Sequence, residues 1–335
     1  MKQHQKKILI IGCGNIGSRH IMHASKLADI IGVCDINKEK ANQFAEQYNT
    51  KAFYDIQSAL ESCSNIDLVS ICTPNGLHAE HSILALENGA HVLCEKPMAI
   101  STISATKMIE TAQSYQKKLY VVKQNRYNPP IEYLKNLIEK KALGNIYSFQ
   151  VNGYWNRPAA YYKGWKGTLS LDGGTLYTQF SHFIDLILWL FGDAKNAQLI
   201  RKNFCHPSIE FEDTGIISFE MQNGMIGSFN YTVNSYHKNM EGSITVFAEK
   251  GTLKIGGQYL NELEYFEVKD MEKPILSIGN GPNNYGNYSG TMSNHDKIYE
   301  NVLKALDNDQ HPFLEATEAF QSVALIESLY LASTT

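Results

Sequence analysis

A glycine-rich turn near the start of the chain constrains the fold more than any other feature of the sequence. Gly12-Cys13-Gly14-Asn15-Ile16-Gly17 fits the pattern G-x-G-x-x-G, follows the apolar run Lys7–Ile11 and opens a predicted helix over Ile16–Leu27. In this context the first glycine allows a tight turn, the second lets a pyrophosphate approach the backbone, and the third lets the helix pack closely on the strand. The helix N-terminus offers N–H groups and partial positive charge to the phosphates. The sequence therefore predicts a Rossmann dinucleotide-binding domain.

The end of the second predicted strand, Ile30–Cys34, indicates which dinucleotide is bound. Asp35 stands 18 positions after Gly17, close to the spacing of the acid that binds the ribose. A carboxylate there favours NAD, because it accepts hydrogen bonds from the ribose hydroxyls and repels the 2′-phosphate of NADP; Lys38 weakens this preference without reversing it. The plainer alternative is a structural glycine turn beside a helix-capping aspartate. We predict NAD as the cofactor, bound in this region by Gly12, Gly14, Asn15, Ile16, Gly17 and Asp35.

The order of strands and helices divides the chain into two predicted domains. At 335 residues it exceeds the roughly 250–300 residues of a single hydrophobic core. Up to Val122, short apolar strands alternate with helices, which is typical of a parallel sheet covered on both faces. From Lys123 onward, strands of alternating polarity are separated by turns such as Gln222-Asn223-Gly224, which is typical of antiparallel sheets. We predict an α/β Rossmann domain over residues 1–122 and an α+β domain over residues 123–335, with an open, mostly antiparallel sheet and helices on one face.

Within the second domain the sequence predicts one apolar helix over Thr175–Phe191 and two closing helices, near Asp296–Asp307 and Glu315–Ala332. Gly279–Ser289 is rich in glycine and asparagine and is predicted to be a loop. Because a sheet with apolar residues on both faces must be covered on both, we expect the outer face to form the interface of a homo-oligomer, a dimer or a tetramer.

Composition and charge exclude several other classes of protein. Hydrophobic residues make up 43% of the chain and charged residues 19%, as in ordinary globular proteins, and the net charge of −4 excludes a strongly basic nucleic-acid-binding surface. The apolar run before Gly12 is too short for a signal peptide, and no stretch approaches the ~20 apolar residues of a membrane span. The six cysteines form no Cys-x-x-Cys pair, so we expect them to be small core residues in a reducing compartment. We therefore predict a cytoplasmic protein that binds neither nucleic acid nor membrane.

Two positions carry groups that suit the oxidation of an alcohol by NAD. Lys96, in Glu95-Lys96-Pro97, follows a predicted strand, where a lysine beside a nicotinamide can donate to a substrate oxygen. His182 shares a face of an apolar helix with Asp185, and a histidine suits removal of a hydroxyl proton near pH 7. A surface lysine before a proline turn and a hydrogen-bonded core histidine are the plainer alternatives.

Three further features allow weaker predictions. Thr73-Pro74-Asn75 stands at the carboxyl end of a predicted strand, where an open α/β sheet binds its ligands, although a simple turn fits equally well. The pairs His20/His23 and His78/His81 have helical spacing. Since the sequence pattern offers neither pair a third ligand, we expect no metal site.

Taken together, these motifs resemble a known family. Gly12–Gly17, Cys72–Asn75 with His78, Cys94–Pro97, and Gly173-Gly174 leading to His182-x-x-Asp185 are similar in order and spacing to the glucose–fructose oxidoreductase / inositol dehydrogenase / rhizopine catabolism (Gfo/Idh/MocA) family. The resemblance covers essentially the whole chain. It implies that Lys96 contacts nicotinamide and substrate and that His182 accepts the proton. It also implies that the cofactor contacts include Thr73, Pro74, Asn75, His78, Glu95, Lys96, Gln124, Trp165 and Lys166.

One departure from the family pattern concerns the substrate. Many members have an aspartate four residues before the histidine, where this chain has Thr178, which argues against an ordinary inositol dehydrogenase. Six short segments are similar to the UDP-N-acetyl-2-amino-2-deoxyglucuronate 3-dehydrogenases: Trp155-Asn156-Arg157, Tyr161-Tyr162, Gly164–Thr168, Glu212-Asp213-Thr214-Gly215, Glu241-Gly242-Ser243 and Glu249–Thr252. This resemblance implies NAD-dependent oxidation of the 3-hydroxyl of a UDP-N-acetylated hexosamine uronate for surface-polysaccharide synthesis. The alternatives are a UDP-N-acetylglucosamine 3-dehydrogenase, an inositol or monosaccharide dehydrogenase, and a non-catalytic dinucleotide-binding sensor.

The substrate contacts implied by the resemblance come from both predicted domains. They are Lys96, Arg126, Tyr154, Asn156, Arg157, Tyr162, Thr178 and His182. We expect the sugar ring to be flanked by aromatic side chains such as Tyr154, Trp155 and Tyr162. A uronate carboxylate needs a cation or a set of N–H donors, for which Arg126, Arg157 and Lys163 are the candidates.

Overall fold

The computed structural model of the protein describes residues 5–284, 289–308 and 316–333. The chain divides into two compact units, Met1–Lys123 with His295–Ala324, and Gln124–Asn294 with Leu325–Thr335. The break at Lys123 lies one residue from the expected boundary. The return of the chain to the first unit from His295 differs from the expected division, in which residues 123–335 form one domain. Its physical reason is a set of buried contacts that His295 and Tyr299 make inside the first unit, described below.

The first unit contains a parallel six-stranded sheet with the strand order β3-β2-β1-β4-β5-β6, which is the order of a Rossmann fold and confirms the predicted class. Buried aliphatic residues fill the central strands, as expected where helices cover both faces of a sheet. The strands are β1 (Lys7–Ile11), β2 (Asp29–Cys34), β3 (Ala52–Phe53), β4 (Leu68–Ile71), β5 (His91–Cys94) and β6 (Leu119–Val121).

Five helices connect these strands. Side chains at the N-caps fix three of the helix starts, since Asn37, Asp55 and Ser101 each accept a hydrogen bond from a backbone N–H of the first turn. The helices are α1 (Asn15–Ala24), α2 (Lys38–Tyr48), α3 (Ile56–Ser62), α4 (His78–Glu87) and α5 (Thr102–Ser114).

The second unit contains a seven-stranded sheet with the order β13-β12-β11-β7-β10-β9-β8, in which only β7 and β10 pair in parallel. The mostly antiparallel sheet is as predicted, and β9 shows the expected alternation, with Ile217, Phe219 and Met221 buried and their neighbours exposed. A separate hairpin is formed by β14 and β15. The strands are β7 (Ile146–Tyr154), β8 (Ala194–Lys202), β9 (Thr214–Met221), β10 (Ile226–Thr232), β11 (Glu241–Ala248), β12 (Gly251–Gly256), β13 (Glu262–Val268), β14 (Pro282–Asn284) and β15 (Ser289–Met292).

The second unit also contains the helices α6 (Pro129–Glu139), α7 (Thr175–Thr178) and α8 (Ser181–Phe191). The prediction of a single helix over Thr175–Phe191 was wrong. The backbone N–H of Phe180 donates to the carbonyl oxygen of Thr175, five residues earlier, and this wider turn separates α7 from α8. Gly192, with φ of +89°, ends α8.

Two helices follow the second sheet. The first, α9 (His295–Asp307), belongs to the first unit, and α10 (Ala316–Ala332) is divided between the units after Ala324. Both agree with the predicted closing helices, apart from Glu315, which lies outside the described residues.

Two other expectations need correction. Cys205 is exposed and Cys63 is half-buried, so only Cys13, Cys34, Cys72 and Cys94 are core residues. The predicted loop Gly279–Ser289 contains β14 and the first residue of β15, and its residues 285–288 lie outside the described ranges. Over the part of the chain that the structure describes, every helix is too short or too polar to cross a bilayer.

Candidate active site

The glycine-rich turn joins β1 to α1, as predicted. Gly12 has a φ of +101°, and a Cβ there would lie 2.6 Å from the carbonyl oxygen of Cys72, which follows β4. A Cβ on Gly17 would lie 2.0 Å from the carbonyl oxygen of Gly12. The protein's own packing therefore requires both of these glycines. Gly14 differs, because a Cβ there meets no protein atom within 4 Å, which fits a backbone position kept bare for the close approach of a ligand.

Polar groups suited to a dinucleotide surround this turn. Helix α1 starts at Asn15 with Gly14 as its N-cap and without a side-chain cap, which fits phosphate binding by the backbone N–H groups of Asn15 and Ile16. The carboxylate of Asp35 lies beside the turn, where it accepts hydrogen bonds from the backbone N–H of Cys13 at 2.8 Å and of Asn37 at 2.8 Å. The turn and the carboxylate therefore fit the phosphates and a ribose of one dinucleotide.

The turn after β4 is held by a buried histidine. Thr73-Pro74-Asn75 follows β4, the strand beside β1, at the point where the strand order changes direction. His78 is 1% exposed, and its ring nitrogens lie 2.8 Å from the carbonyl oxygen of Thr73 and 2.6 Å from that of Pro97. Burial lowers the pKa of this histidine. His78 was expected to bind cofactor, and its contacts instead tie together the turns after β4 and β5.

Lys96 stands directly after β5, at the same end of the sheet as the glycine turn, as predicted. Its backbone N–H donates to Glu95 Oε2 at 3.0 Å, and the Lys96–Pro97 peptide bond is cis. The backbone of Lys96 is therefore held on one side by Glu95 and, through Pro97, on the other by His78.

Glu95 itself lies in a buried cluster that the sequence did not reveal. Glu95 Oε1 accepts hydrogen bonds from His20 Nε2 at 2.9 Å and His295 Nε2 at 3.1 Å. The hydroxyl of Tyr299 lies 2.9 Å from His20 Nδ1 and 2.8 Å from the hydroxyl of Ser70. The two histidines hold the pKa of Glu95 well below its usual value, while burial lowers that of His20.

His20, Glu95 and His295 are the one group of potential metal ligands found among the described residues. The expectation that His20 lacks partners for a metal is therefore wrong, since Glu95 and His295 are distant in sequence but adjacent in space. Their separations of 2.9 and 3.1 Å are those of N–H···O hydrogen bonds to one shared oxygen, which accounts for the contacts without an ion.

In the second unit, His182 and Asp185 are both buried on α8. Asp185 forms a bidentate ion pair with Arg126, in which Nε donates to Oδ2 at 2.9 Å and Nη2 donates to Oδ1 at 2.7 Å. Arg126 was expected to contact substrate, but its guanidinium is held by Asp185. The role of His182 as a base stays a prediction.

The expected substrate contacts Asn156 and Arg157 follow β7 and belong to a dense network. Arg157 is 3% exposed and donates to Gln179 Oε1 at 2.7 Å and to Asn239 Oδ1 at 3.2 Å. Asn156 Nδ2 donates to the carbonyl oxygen of Ser235 at 2.6 Å. The expectation that Trp155 flanks a sugar ring was wrong, because this side chain is 2% exposed and packs on Phe180 and Phe183 in the core.

A short segment before α7 carries several other predicted contacts. Lys166 Nζ lies 3.7 Å from the centre of the Tyr161 ring, and Trp165 is partly exposed next to it. Asp172 Oδ2 accepts the backbone N–H of Gly167 at 2.7 Å, and the hydroxyl of Thr178 donates to the carbonyl oxygen of Asp172 at 3.1 Å. Thr178, the residue that replaces the aspartate of many family members, thus joins the end of α7 to the segment that precedes the helix.

Three other predicted contacts of the second unit are Tyr162, Tyr154 and Gln124. The Tyr162 hydroxyl is buried with no partner among the described residues, and burial raises its pKa. Tyr154 donates to Asn152 Oδ1 at 3.0 Å. Gln124 Nε2 donates to Thr291 Oγ1 at 2.7 Å, while Gln124 Oε1 is buried and finds no partner within the ranges described. Tyr162 and Gln124 therefore each present a buried polar atom that a ligand can satisfy.

Another buried carboxylate, Glu212, supports the start of α7. Its Oε1 accepts hydrogen bonds from the hydroxyls of Tyr231 at 3.0 Å and Tyr330 at 2.7 Å, and the Tyr330 hydroxyl accepts the backbone N–H of Leu176 at 2.9 Å. Burial raises the pKa of Glu212. The sequence motif Glu212-Asp213-Thr214-Gly215 was noted only as a resemblance, and the structure gives its first residue a supporting role.

Comparison with known proteins agrees with both units. Residues 6–123 match the model of the oxidoreductase family with an NAD-binding Rossmann fold, and residues 131–254 match the Gfo/Idh/MocA C-terminal domain. The crystal structure of the WlbA dehydrogenase from Chromobacterium violaceum, in complex with NADH and UDP-GlcNAcA, is 33% identical, covers 99% of this chain and 94% of its own, and has a TM-score of 0.88. The WlbA dehydrogenase from Bordetella pertussis, with the same two ligands, is 31% identical over 98% of this chain and 96% of its own, with a TM-score of 0.87. The glucose-6-phosphate 3-dehydrogenase of Bacillus subtilis is 27% identical over 97% of this chain and 95% of its own length.

Proposed function

The chain belongs to the Gfo/Idh/MocA family of NAD-binding oxidoreductases, and on this premise we propose that it oxidises the 3-hydroxyl of a UDP-N-acetylated hexosamine uronate. The observation that carries the proposal is the similarity over almost the whole chain to two structures that hold NADH and UDP-GlcNAcA. Thr178, in place of the family aspartate, supports the same branch. The product is a 3-keto nucleotide sugar, which suits later amination for polysaccharide synthesis.

The proposed chemistry divides between two side chains. When bound, NAD supplies an acceptor for the hydride that leaves C3 of the sugar. His182 takes the hydroxyl proton on a ring nitrogen, and the Lys96 ammonium donates a hydrogen bond to the oxygen as negative charge develops on it. The C–H and O–H bonds break, a C=O bond forms, and the proton remains on His182 until solvent removes it.

Of the three cationic residues predicted to bind the uronate carboxylate, we propose that either Arg157 or Lys163 binds it. Arg126 is paired with the carboxylate of Asp185. Arg157 donates to Gln179 Oε1 and Asn239 Oδ1, and Lys163 is exposed directly after Tyr162. Replacing whichever of Arg157 and Lys163 binds the carboxylate by methionine is expected to raise KM for the uronate more than KM for UDP-N-acetylglucosamine, because only the uronate loses a charge-assisted hydrogen bond.

Two alternatives differ from this proposal in specific ways. A UDP-N-acetylglucosamine 3-dehydrogenase has the same sugar and nucleotide without the carboxylate, so only the relative response to the two nucleotide sugars separates it. A non-catalytic NAD-binding sensor is disfavoured because the chain retains both Lys96 and His182, which a sensor does not need.

A homo-oligomer formed through the second sheet is part of the proposal. The exposed face carries large apolar side chains, among them Ile200 at 75% and Ile216 at 51% exposure, which lie opposite each other on β8 and β9. Apolar patches of this kind mark interaction surfaces. Sedimentation of wild-type protein and of an Ile200→Glu/Ile216→Glu variant tests this, since the variant is expected to be monomeric and a monomeric wild type contradicts it.

Ligand stabilisation tests the proposed substrate. Purified protein saturated with NADH is heated with UDP-GlcNAcA, UDP-N-acetylglucosamine or inositol, and the midpoint of unfolding is measured. We expect the largest shift with the uronate, because a ligand that binds only the folded state stabilises it. A response to UDP-N-acetylglucosamine alone supports the first alternative. A shift in the unfolding midpoint with inositol, and none with either nucleotide sugar, contradicts the nucleotide-sugar assignment.

A further inference from the structure

The Glu95-Lys96-Pro97 turn is supported from inside the first unit by one buried carboxylate. Glu95 is 4% exposed and accepts three hydrogen bonds, from His20 Nε2, His295 Nε2 and the backbone N–H of Lys96. A carboxylate buried this deeply needs donors on both oxygens, and here Oε1 faces the histidines while Oε2 faces Lys96. The orientation of the Glu95 carboxylate is therefore coupled to the position of the Lys96 backbone.

The donors to Glu95 come from distant parts of the sequence. His20 belongs to α1, which begins at the glycine turn, and His295 begins α9, 200 positions after Glu95. Both histidines are fully buried. Each presents a protonated Nε2 to Glu95 Oε1, because a carboxylate oxygen only accepts. His20 is held in this tautomer by Tyr299, whose hydroxyl lies at the other ring nitrogen and also contacts Ser70.

The hydrogen-bonded cluster around Glu95 is therefore incomplete without α9. Residues 1–123 supply Ser70, Glu95 and His20, but the remaining donor to Glu95 and the hydroxyl that orients His20 both come from α9. A buried polar network that is only partly satisfied is costly, so loss of the α9 side chains leaves the Glu95 carboxylate free to turn away from Lys96.

We propose that His295 and Tyr299 are positioning residues for Lys96, acting through the Glu95 carboxylate. The inference rests on the proposed function, because it requires Lys96 to act on the substrate. The residues do not touch the sugar themselves. They hold the peptide from which the Lys96 side chain extends, so that its ammonium reaches the same place in every turnover.

The test is a double-mutant cycle on turnover with the best nucleotide-sugar substrate. His295→Leu is expected to lower kcat about tenfold to a hundredfold, the scale of a small misplacement of a catalytic group, with KM for NAD nearly unchanged. His295→Gln is expected to retain most of the wild-type activity, because the glutamine amide N–H can replace the imidazole Nε2–H that donates to Glu95. In a Lys96→Met background His295→Leu costs no further turnover, since the residue through which it acts is gone.

Three controls separate positioning from structural damage. Tyr299→Phe removes only a hydroxyl, so it reports on the cluster even where His295→Leu folds poorly, and a smaller fall in kcat of the same kind is expected. His91→Gln changes a histidine at the opposite end of the same strand, and its turnover is expected to match wild type. NADH binding, followed by fluorescence, and the unfolding midpoint without cofactor are measured for every variant.

Several outcomes overturn the inference. An equal loss of kcat in the wild-type and Lys96→Met backgrounds shows that His295 does not act through Lys96. Loss of NADH affinity in place of turnover shows that the cluster supports the dinucleotide site. A stoichiometric bound metal in the purified protein shows that the histidines are ligands. Failure of the proposed function is distinct, because wild type then turns over no nucleotide sugar at all.

Discussion

Arg126 and Asp185 form a buried bidentate ion pair, with Nε–Oδ2 and Nη2–Oδ1 distances of 2.9 and 2.7 Å. The pair joins the segment that opens the second unit to α8, which carries His182 three residues before Asp185. Both charges are almost fully removed from water, so each depends on the other. The helix that carries the proposed base is therefore anchored by a charge pair rather than by apolar packing alone.

Breaking this pair is expected to destabilise the protein strongly. Arg126→Met removes the arginine that forms the bidentate ion pair with the buried Asp185 carboxylate, and loss of one partner of a buried ion pair costs about 3–5 kcal/mol of the free energy of unfolding. Urea unfolding measures the loss. Lys195→Met is the matched control, because Lys195 pairs with Glu220 at 2.6 Å on the surface and its loss costs below about 1 kcal/mol. If Arg126→Met is as stable as wild type and has a raised KM for the sugar, this account is contradicted and Arg126 is a substrate-binding residue.

Two glycines of the dinucleotide turn are expected to respond in opposite ways to alanine. Gly17→Ala places a Cβ 2.0 Å from the carbonyl oxygen of Gly12, so it lowers stability with or without cofactor. Gly14→Ala meets no protein atom within 4 Å and leaves the unfolding midpoint of the cofactor-free protein near wild type. It is expected to weaken NADH binding, because the methyl group occupies the face that the pyrophosphate approaches. Titration by fluorescence measures this, and unchanged NADH affinity in Gly14→Ala would place the pyrophosphate elsewhere.

Replacement of the two proposed catalytic side chains is expected to remove turnover without removing the cofactor. Lys96→Met and His182→Asn each lower kcat by ~10²-fold or more, the usual scale for general acid–base groups. Stopped-flow measurement of NADH formation gives kcat, and NADH fluorescence gives the affinity. The His182 assignment is wrong if His182→Asn turns over the sugar at a near-normal rate.

The free energy of unfolding is expected to fall as the pH is lowered from 6.5 to 4. Burial, aided by repulsion from Lys117, lowers the pKa of His91 from 6.5 to about 4. The unfolded chain therefore binds a proton at His91 in this window that the folded chain does not, so the contribution of His91 to stability is full above pH 6.5 and is lost as the pH falls toward 4. His91→Gln removes this titration and makes the decline less steep.

Unfolding in urea at several pH values gives the slope for wild type and His91→Gln. An identical slope in wild type and His91→Gln would mean that His91 is protonated equally in both states.

Features with a local signature could be predicted from the sequence. The glycine turn, Asp35 and the position of Lys96 after a strand depend on residues within one strand–turn unit, and the structure has all three as expected. Short or polar elements were missed. β3 has only two residues, and β8, at the edge of its sheet, has a mostly polar sequence that hides its period.

Features that depend on distant contacts could not be predicted. Arg126 and Asp185 are 59 positions apart, and Glu95 and His295 are 200 apart, so no pattern in the sequence connects them. Trp155 shows the same limit, because an aromatic beside polar residues looks like a ligand contact until the packing of Phe180 and Phe183 is known.

The most direct test of the central claim is the reduction of NAD by the purified protein in the presence of UDP-GlcNAcA, followed by NADH absorbance, with the oxidised carbon identified by NMR of the product. The account predicts NADH formation with the uronate, a 3-keto sugar as product, and much slower reduction with free inositol. Reduction of NAD by inositol, without reduction by either UDP-GlcNAcA or UDP-N-acetylglucosamine, contradicts it.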